Sequence, residues 1–192
     1  MYNFSMKIFV LRHGQTAMNA KNQIMGRTDI ELSAEGRKQA QEAAEKIAAF
    51  PKENLPDAII CSPLIRAKQT AQYVADELEE TCGKVIKIRY DDHLIEQDYG
   101  ELEGTDRLSE IFAISKTQFA MKTGRTGESH MQLAQRVYNF LDMVCDLYKG
   151  QNVLLVTHGG ICRVIATYFQ QMTNEEYASW RAQNCQIDTY EI

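Results

Sequence analysis

KIFVLRHGQTAMN, residues 7–19, joins a run of apolar residues directly to an arginine, a histidine and a glycine. An uninterrupted apolar run is typical of a strand buried on both faces of a parallel sheet, and open α/β folds hold their ligands at the ends of such strands. The guanidinium group of Arg12 suits phosphate, the imidazole of His13 can act as a nucleophile, and Gly14 lets a ligand approach the backbone. The stretch therefore predicts a phosphate site with its own nucleophile, although three such residues could also form an ordinary surface turn.

The same pattern recurs in NVLLVTHGG, residues 152–160. A continuous run of β-forming residues ends in His158, which is followed by Gly159 and Gly160. At the start of a helix, this arrangement would direct both an imidazole and free backbone N–H groups at an anion. We expect a second buried strand with a reactive tip.

Helical and extended patterns alternate through the rest of the chain. Three helices are predicted in the first two thirds of the chain: from the Ser33 cap to just before Pro51, from Ser62 and Pro63 to about Glu79, and from Thr105 to about Met121. Three more are predicted after these: from Ser129 to Tyr148, one that starts near Ile161, and from about Asn174 to Arg181. Further strands are predicted at residues 57–61 and 84–90, and an edge strand at residues 185–192. The alternation predicts an α/β layered fold.

Composition limits the partners. The chain has 192 residues and a net charge of −5, so nothing draws it generally toward nucleic acid or an anionic membrane, and a phosphate must be bound by a local basic cluster. No apolar stretch approaches membrane-spanning length and the start lacks a leader pattern, which favours a cytoplasmic location. One domain over residues 1–192 is expected. The five cysteines are odd in number and include no Cys-x-x-Cys pair, which favours reduced thiols.

Two further residues could complete a phosphate site. Arg66, in CSPLIRAKQTA, lies on the first turns of a predicted helix whose N-terminal end favours anions, although an isolated arginine more often pairs with a carboxylate at the surface. Glu96, in LIEQDYGELEG, follows a predicted strand and could act as a general acid. Spacing alone does not select it over Asp98, Glu101 or Glu103, because the whole loop is acidic.

Five segments together resemble the histidine phosphatase superfamily, the group that contains the cofactor-dependent phosphoglycerate mutases. In chain order they are LRHGQTAMN, GRTDIELSAEG, CSPLIRAKQTA, IEQDYGELEG and LLVTHGG. The resemblance spans nearly the whole chain. It implies a three-layer α/β sandwich in which helices flank a mostly parallel central sheet.

The resemblance also implies roles for individual residues. His13 would be the phosphorylated nucleophile, and Glu96 would donate a proton to the leaving alkoxide and then act as base for water. The phosphoryl group would be bound by Arg12, Arg66, His158, Asn19, the backbone of Gly159, and Gln15. Such a set stabilises the charge of the transition state without a metal or cofactor. We expect the arginines to lower the pKa of His13, and its other ring nitrogen to donate to a backbone carbonyl.

The expected activity is metal-independent hydrolysis of a small phosphorylated metabolite, such as α-ribazole phosphate or a sugar phosphate, as in the small phosphatases of the superfamily. A cofactor-dependent phosphoglycerate mutase is the alternative. It fits less well because no adjacent arginines lie between Gly100 and Gly127 to hold a substrate carboxylate. The chain also has Met25 before Gly26 at the position where the mutases have a threonine before the glycine. A second alternative is a module that binds phosphorylated ligands without turnover, against which the complete catalytic set argues.

Other reactive groups fit less well. Cys61 and Arg66 are separated by four residues instead of the five that cysteine phosphatases need, and Pro63 removes a backbone donor between them. The four histidines include no pair at helical zinc-ligand spacing. His93 and His130 are expected to be structural or surface residues. Arg107 and Arg125 could contact substrate or face solvent, and solvent is the favoured interpretation.

Overall fold

The computed structural model describes residues 6–192, in which five strands form one sheet. The strands are β1 (Lys7–Arg12), β2 (Ala58–Cys61), β3 (Ile88–Tyr90), β4 (Val153–Thr157) and β5 (Ile187–Glu191). Their order across the sheet is β3-β2-β4-β1-β5. The edge strand β5 runs antiparallel to β1, whereas the other neighbours are parallel. The mostly parallel sheet is therefore confirmed.

Helices cover both faces of this sheet. They are α1 (Ala17–Ala20), α2 (Ala34–Ala48), α3 (Ile65–Cys82), α4 (Glu110–Ser115), α5 (His130–Leu147), α6 (Gly159–Phe169) and α7 (Asn174–Ser179). Successive side chains of a strand point to opposite faces. Phe9 and Leu11 of β1 accordingly pack with α2 and α3, while Ile8 and Val10 pack with α5 and α6. Burial on both faces explains the unbroken apolar runs of β1 and β4, and the three-layer prediction is confirmed.

Three helix starts follow directly from the sequence. The hydroxyl groups of Ser33, Ser129 and Thr173 accept hydrogen bonds from the backbone N–H groups three residues later, and so begin α2, α5 and α7. Such side-chain acceptors satisfy N–H groups that have no partner within the helix. These local caps are why the predicted starts agree with the observed ones.

The start of α3 differs from its prediction. The helix begins at Ile65 with Leu64 as its N-cap, so Ser62 and Pro63 lie before the helix. The Ile65 N–H donates to Oδ1 of Asp29 at 2.7 Å, so a residue distant in sequence supplies the cap. The Ser62 hydroxyl lies instead against a histidine of the candidate site.

The predicted helix from Thr105 to about Met121 is also wrong over most of its length, because only α4 is helical there. Asp106 accepts a hydrogen bond from the Leu108 N–H, which forms a turn, and the hydroxyl of Ser109 caps the helix only afterwards. At the other end, the Thr117 hydroxyl bonds to the Ile114 carbonyl. Short polar side chains that bond to nearby backbone favour turns over a continuous helix.

The strand β3 is shorter than the predicted 84–90 because its partner is short. Ile59, Ile60 and Cys61 of β2 pair with residues 88–90, and β2 extends only one residue beyond them. Residues 84–87 therefore have no strand beside them to pair with in the described part of the chain.

Candidate active site

The candidate site lies where the carboxyl ends of β1 and β4 meet. The chain leaves β1 toward α2 on one face of the sheet and enters α6 from β4 on the other face. A crevice opens between neighbouring strands at such a switch point. Arg12 ends β1 opposite Thr157, which ends β4, so His13 and His158 follow neighbouring strand ends. The two segments with the same sequence pattern therefore meet in space.

The ring of His13 is held by its own neighbour. Its Nδ1 lies 2.7 Å from the carbonyl oxygen of Gly14. Because a carbonyl can only accept, Nδ1 carries the proton and Nε2 keeps its lone pair. Nε2 has no hydrogen bond within residues 6–192, and His13 lines the cavity of the candidate site. The expected bond from the second ring nitrogen to a backbone carbonyl is therefore present, and Nε2 is free to attack.

Gly14 serves packing as well as access. A Cβ atom on Gly14 would collide with the carbonyl oxygen of Gly36, in the first turn of α2. The two backbones can approach this closely because neither residue has a side chain. The glycine in the motif therefore fixes the nucleophile loop against a helix.

Both site histidines are held in the neutral form. Burial is the largest cause and lowers the pKa of His13 and of His158 well below the usual imidazole value, and the charge of Arg66 is the next. The predicted direction was right for His13. The arginines are a smaller cause than the removal of water, because a buried imidazolium loses its hydration.

Two arginines reach the site from different elements. Arg66, fully buried on α3, donates from Nη1 to the carbonyl of Thr28 and from Nη2 to that of Gly26, each at 2.8 Å. Arg12 donates from Nη1 to the carbonyl of Ala182 at 2.7 Å. The Nε of each arginine is buried and has no partner among the described residues. Each guanidinium group is thus held by backbone carbonyls while it keeps a donor for a ligand.

Glu96 is held by the start of α6. Its Oε2 accepts from the Gly160 N–H at 3.0 Å, and its Oε1 accepts from the N–H of Gln97 at 2.9 Å. A Cβ atom on Gly160 would lie 2.5 Å from Oε1 and 3.0 Å from the Tyr99 hydroxyl. Glycine at 160 therefore makes room for the carboxyl group that the resemblance selects.

The loop that carries Glu96 is anchored by Arg136 of α5, which no sequence pattern singles out. Arg136 donates to the carbonyl of His93 at 2.6 Å and to that of Ile95 at 2.8 Å. Its Nε and Nη2 also donate to the two carboxylate oxygens of Glu128, at 2.7 and 2.9 Å. Because a guanidinium group is planar, these bonds fix the direction of the loop.

Asn19 and Gly159 also line the cavity. The Asn19 side-chain oxygen accepts from the backbone N–H of Thr16 at 3.1 Å, which leaves its buried Nδ2 without a partner in residues 6–192. A free amide donor of this kind can bind a phosphate oxygen. Gly159 begins α6, so its N–H has no carbonyl acceptor inside the helix.

Three predicted residues do not line the cavity. Arg66 and His158 are fully buried beside His13; the rings of His13 and His158 have centroids 5.1 Å apart. Gln15 lies elsewhere, because its side-chain oxygen accepts from the Ser33 hydroxyl at 3.2 Å. The structure therefore gives Gln15 a place beside the cap of α2 rather than in the cavity.

Sequence patterns missed several residues of the cavity. Arg107 lines it, so the expectation that this residue faces solvent was wrong, whereas Arg125 is exposed and pairs with Glu101. The lining residues that no sequence pattern singled out include Tyr99, Lys116, Arg163 and Arg181. Arg163 carries the one usable signal, since it follows His158 by five positions on the helix that begins there.

The remaining candidates behave as expected. His93 is about half exposed and bonds to Asp91, and His130 is buried against Tyr177. Cys61 is a buried free thiol, and burial raises its pKa, which opposes a nucleophilic role. Within residues 6–192, no group of three or more His, Cys, Asp or Glu side chains is placed to hold a metal ion. The described helices also include none that is long and apolar enough to cross a membrane.

Comparisons with known proteins agree with this geometry. Phosphoglycerate mutase-like protein 4 of Arabidopsis thaliana is 35% identical over 82% of this chain and 68% of its own length. The metal-independent phosphoserine phosphatase of the same plant is 35% identical over 83% of this chain and 66% of its own, so the chain spans about two thirds of these relatives.

A solved structure is similar over a larger share of its own length. The phosphoserine phosphatase of Entamoeba histolytica, in complex with 3-phosphoglyceric acid, aligns with a TM-score of 0.77 and 27% identity over 96% of this chain and 89% of its own. The family model of the histidine phosphatase superfamily (branch 1) matches residues 8–192. The chain therefore belongs to the histidine phosphatase superfamily.

Proposed function

We propose that this chain hydrolyses small phosphate monoesters through a phosphohistidine at His13. The observation that carries the proposal is the fixed tautomer of His13: the Gly14 carbonyl holds the proton on Nδ1, which leaves the Nε2 lone pair free on a residue that lines the cavity. A phosphoric monoester hydrolase is also the class to which the named phosphatase relatives belong. The expected class of enzyme is therefore supported by both lines of comparison.

The first half of the reaction forms the phosphoenzyme. Nε2 of His13 attacks phosphorus, and the bond from phosphorus to the ester oxygen breaks. The Nε of Arg12 and the amide of Asn19 line the cavity and supply donors without protein partners for the phosphoryl oxygens. The charge of Arg66, which is fully buried beside His13, adds electrostatic stabilisation. Glu96, protonated at this stage, gives its proton to the leaving alkoxide, which departs as an alcohol.

The second half returns the enzyme to its starting state. Glu96, now a carboxylate, takes a proton from a water molecule as the water oxygen attacks phosphorus. The bond between phosphorus and Nε2 breaks, and inorganic phosphate leaves. The hydrogen bond from the Gly160 N–H holds the carboxyl group in place in both steps.

His13→Ala tests this mechanism directly. The wild-type protein is expected to hydrolyse p-nitrophenyl phosphate in the presence of a chelator. It should also retain ³²P from the labelled ester on His13 after an alkaline quench, because phosphohistidine is stable to alkali and labile to acid. The variant is expected to lose both properties. Activity that survives the substitution, or that a chelator abolishes, contradicts the proposal.

A phosphoglycerate mutase is the second candidate, since one relative is named a phosphoglycerate mutase-like protein. A mutase would interconvert 2- and 3-phosphoglycerate when primed with 2,3-bisphosphoglycerate. We expect hydrolysis to exceed such interconversion. Binding of phosphate esters without either reaction, with His13 intact, would instead indicate a binding module.

The extent of the domain, the class of ligand and the place of action are part of the same proposal. We infer that residues 1–192 act as one catalytic domain, as a family match over 8–192 supports. The ligand is a small phosphorylated metabolite, and the place of action is the cytoplasm. The net charge of −5 supports the absence of nucleic acid and of anionic membrane among the partners.

A further inference from the structure

The cavity extends beyond the proposed phosphate position into a second basic region. Its lining includes four cationic side chains that the mechanism does not use: Arg107, Lys116, Arg163 and Arg181. Glu96 is the only acidic residue that lines the cavity in the described part of the chain. In a chain with a net charge of −5, this local excess of positive charge calls for an explanation.

Arg163 is the most informative member of this group. It is 4% exposed, and its guanidinium carbon lies 4.6 Å from the centroid of the Tyr177 ring. Its Nε and Nη2 are buried and have no hydrogen-bond partner within residues 6–192. Buried donors without acceptors are costly, so their presence beside a cavity indicates a ligand that accepts hydrogen bonds.

Lys116 is buried in the same region without a carboxylate. It is 6% exposed, its Nζ lies 4.8 Å from the centroid of the Phe112 ring, and its contact with the Ala178 carbonyl is long, at 3.5 Å. Neither Lys116 nor the three arginines forms an ion pair with a carboxylate of residues 6–192. Lys116 and Arg163 are the buried members of this group, and buried cations without a carboxylate are stabilised by an anion from outside the protein.

Arg107 connects this region with the phosphate site. Its Nη2 lies 3.9 Å from the place that a Cβ atom on Gly159 would occupy, and Arg12 Nε lies 3.5 Å from the same place. The positive charge of Arg107 also acts on Lys116 at the other end of the cavity. One cavity therefore joins the two basic regions, because side chains of both regions line it.

We propose that the substrate carries a second anionic group, and that Lys116, Arg163 and Arg181 bind it while the phosphate ester lies against His13. This inference rests on the proposed function, because it names the substrate class of the same site. A carboxylate and a second phosphate share the required chemistry. An ester with one phosphate and no further anion, such as α-ribazole phosphate, leaves the second region unused.

Matched pairs of substrates test the inference on the wild-type protein. O-phosphoserine is compared with O-phosphoethanolamine, and 3-phosphoglycerate with glycerol 3-phosphate, because each pair differs in a carboxylate. Fructose 1,6-bisphosphate against fructose 6-phosphate provides the second-phosphate comparison. We expect kcat/KM at least tenfold higher for the two-anion member of one pair, and the pair that shows this identifies the anion.

Single substitutions then test which side chains cause the preference for two-anion substrates. Arg163→Gln and Lys116→Met are expected to reduce kcat/KM for the preferred substrate at least tenfold more than for p-nitrophenyl phosphate, mainly through KM. Arg181→Ala, at an exposed residue, provides the same comparison if the buried variants do not fold. Arg125→Gln is the matched control, because its side chain faces solvent and pairs with Glu101, and the preference should persist there.

The failures of the two proposals are distinguishable. Hydrolysis of p-nitrophenyl phosphate with no preference in any pair overturns the second-anion site and leaves the phosphatase intact. If no ester is hydrolysed, the phosphatase proposal fails, and calorimetric binding of the same pairs still tests the subsite. Equal affinity for both members of every substrate pair would overturn the second-anion site.

Discussion

The imidazole Nε2 of His158 lies 2.7 Å from the hydroxyl oxygen of Ser62, which connects the end of β2 with the end of β4. The hydroxyl can donate to Nε2, and the proton of the neutral ring then lies on Nδ1, which is buried without a partner in the described structure. A protonated Nδ1 can donate to a phosphoryl oxygen. The hydrogen bond with Ser62 is therefore expected to influence which ring nitrogen of His158 carries the proton.

Ser62→Ala is expected to reduce kcat for p-nitrophenyl phosphate about fivefold, because a hydrogen bond between neutral groups typically contributes about 1 kcal/mol. Ser62→Thr should restore part of the activity, since it keeps the hydroxyl. Ser179→Ala removes an exposed hydroxyl at the end of α7 and serves as control. Full activity of Ser62→Ala would show that the hydroxyl does not control the tautomer.

The His13 ring is expected to stay neutral as the pH falls through 6.5, where an ordinary imidazole gains a proton. Burial and the charges of Arg66 and Arg12 lower its pKa well below that value, so protonation is displaced to more acidic solution. ¹⁵N spectra of the imidazole at pH 5.5 should therefore show the Nδ1–H tautomer. An imidazolium spectrum for His13 at pH 6 would contradict the structure.

Gly160→Ala should impair catalysis more than Gly159→Ala. The new Cβ at 160 would lie 2.5 Å from Oε1 of Glu96 and must displace the carboxyl group, whereas the Cβ at 159 would make an ordinary contact of 3.5 Å with Arg12 Nε. We expect kcat to fall at least tenfold for Gly160→Ala, with a smaller loss for Gly159→Ala. Equal losses in the two variants would indicate that the position of Glu96 is not responsible.

Arg136→Met is expected to lower both stability and activity. It removes the donors that bind the carbonyls beside Glu96 and leaves the Glu128 carboxylate without its partner. Loss of one partner of a largely buried pair costs roughly 3 kcal/mol, which urea unfolding would measure. Arg136→Lys should recover part of the stability but less of kcat, because a lysine cannot reproduce the planar set of bonds. Equal recovery of both would argue against a positioning role.

Lys116 predicts a pH dependence for the second-anion preference. Burial, together with the charges of Arg163, Arg181 and Arg107, lowers the pKa of Lys116 to about 8, and His130 is the other titratable group beside it. The amine is charged below this pH and loses its proton above it. The preference should therefore be present at pH 7 and decline above pH 8. In Lys116→Met, any preference that remains should no longer change between pH 7 and pH values above 8. If the preference still declines in that variant, the decline is caused by the titration of another group.

The features that the sequence predicts well depend on neighbours in the chain. The unbroken apolar runs identify β1 and β4, and the caps Ser33 and Ser129 act through bonds three residues away. Family motifs supplied the five central residues of the site, of which Arg66 and His158 lie behind the cavity surface.

The features that were missed depend on contacts between distant segments. Asp29 caps α3 from outside the helix, and Arg136 reaches the Glu96 loop from α5. The basic region forms only when the 105–129 segment, α6 and the residues after α7 meet around one cavity. No periodicity in the sequence indicates that these segments meet, so Lys116 has no distinguishing pattern and Arg163 has only its position five residues after His158.

The position of β1 within the sheet has a consequence for folding. β1 comes early in the chain, yet its two neighbours, β4 and β5, come from the far end. Backbone bonds between Arg12 and Gln186 and between Arg12 and Cys185 tie the strand that precedes the nucleophile to that distant segment. Such a high contact order slows folding, because long loops must close before these pairings stabilise the chain. The helical pairs can form early, whereas the phosphoryl-transfer chemistry must await the most distant strand pairings.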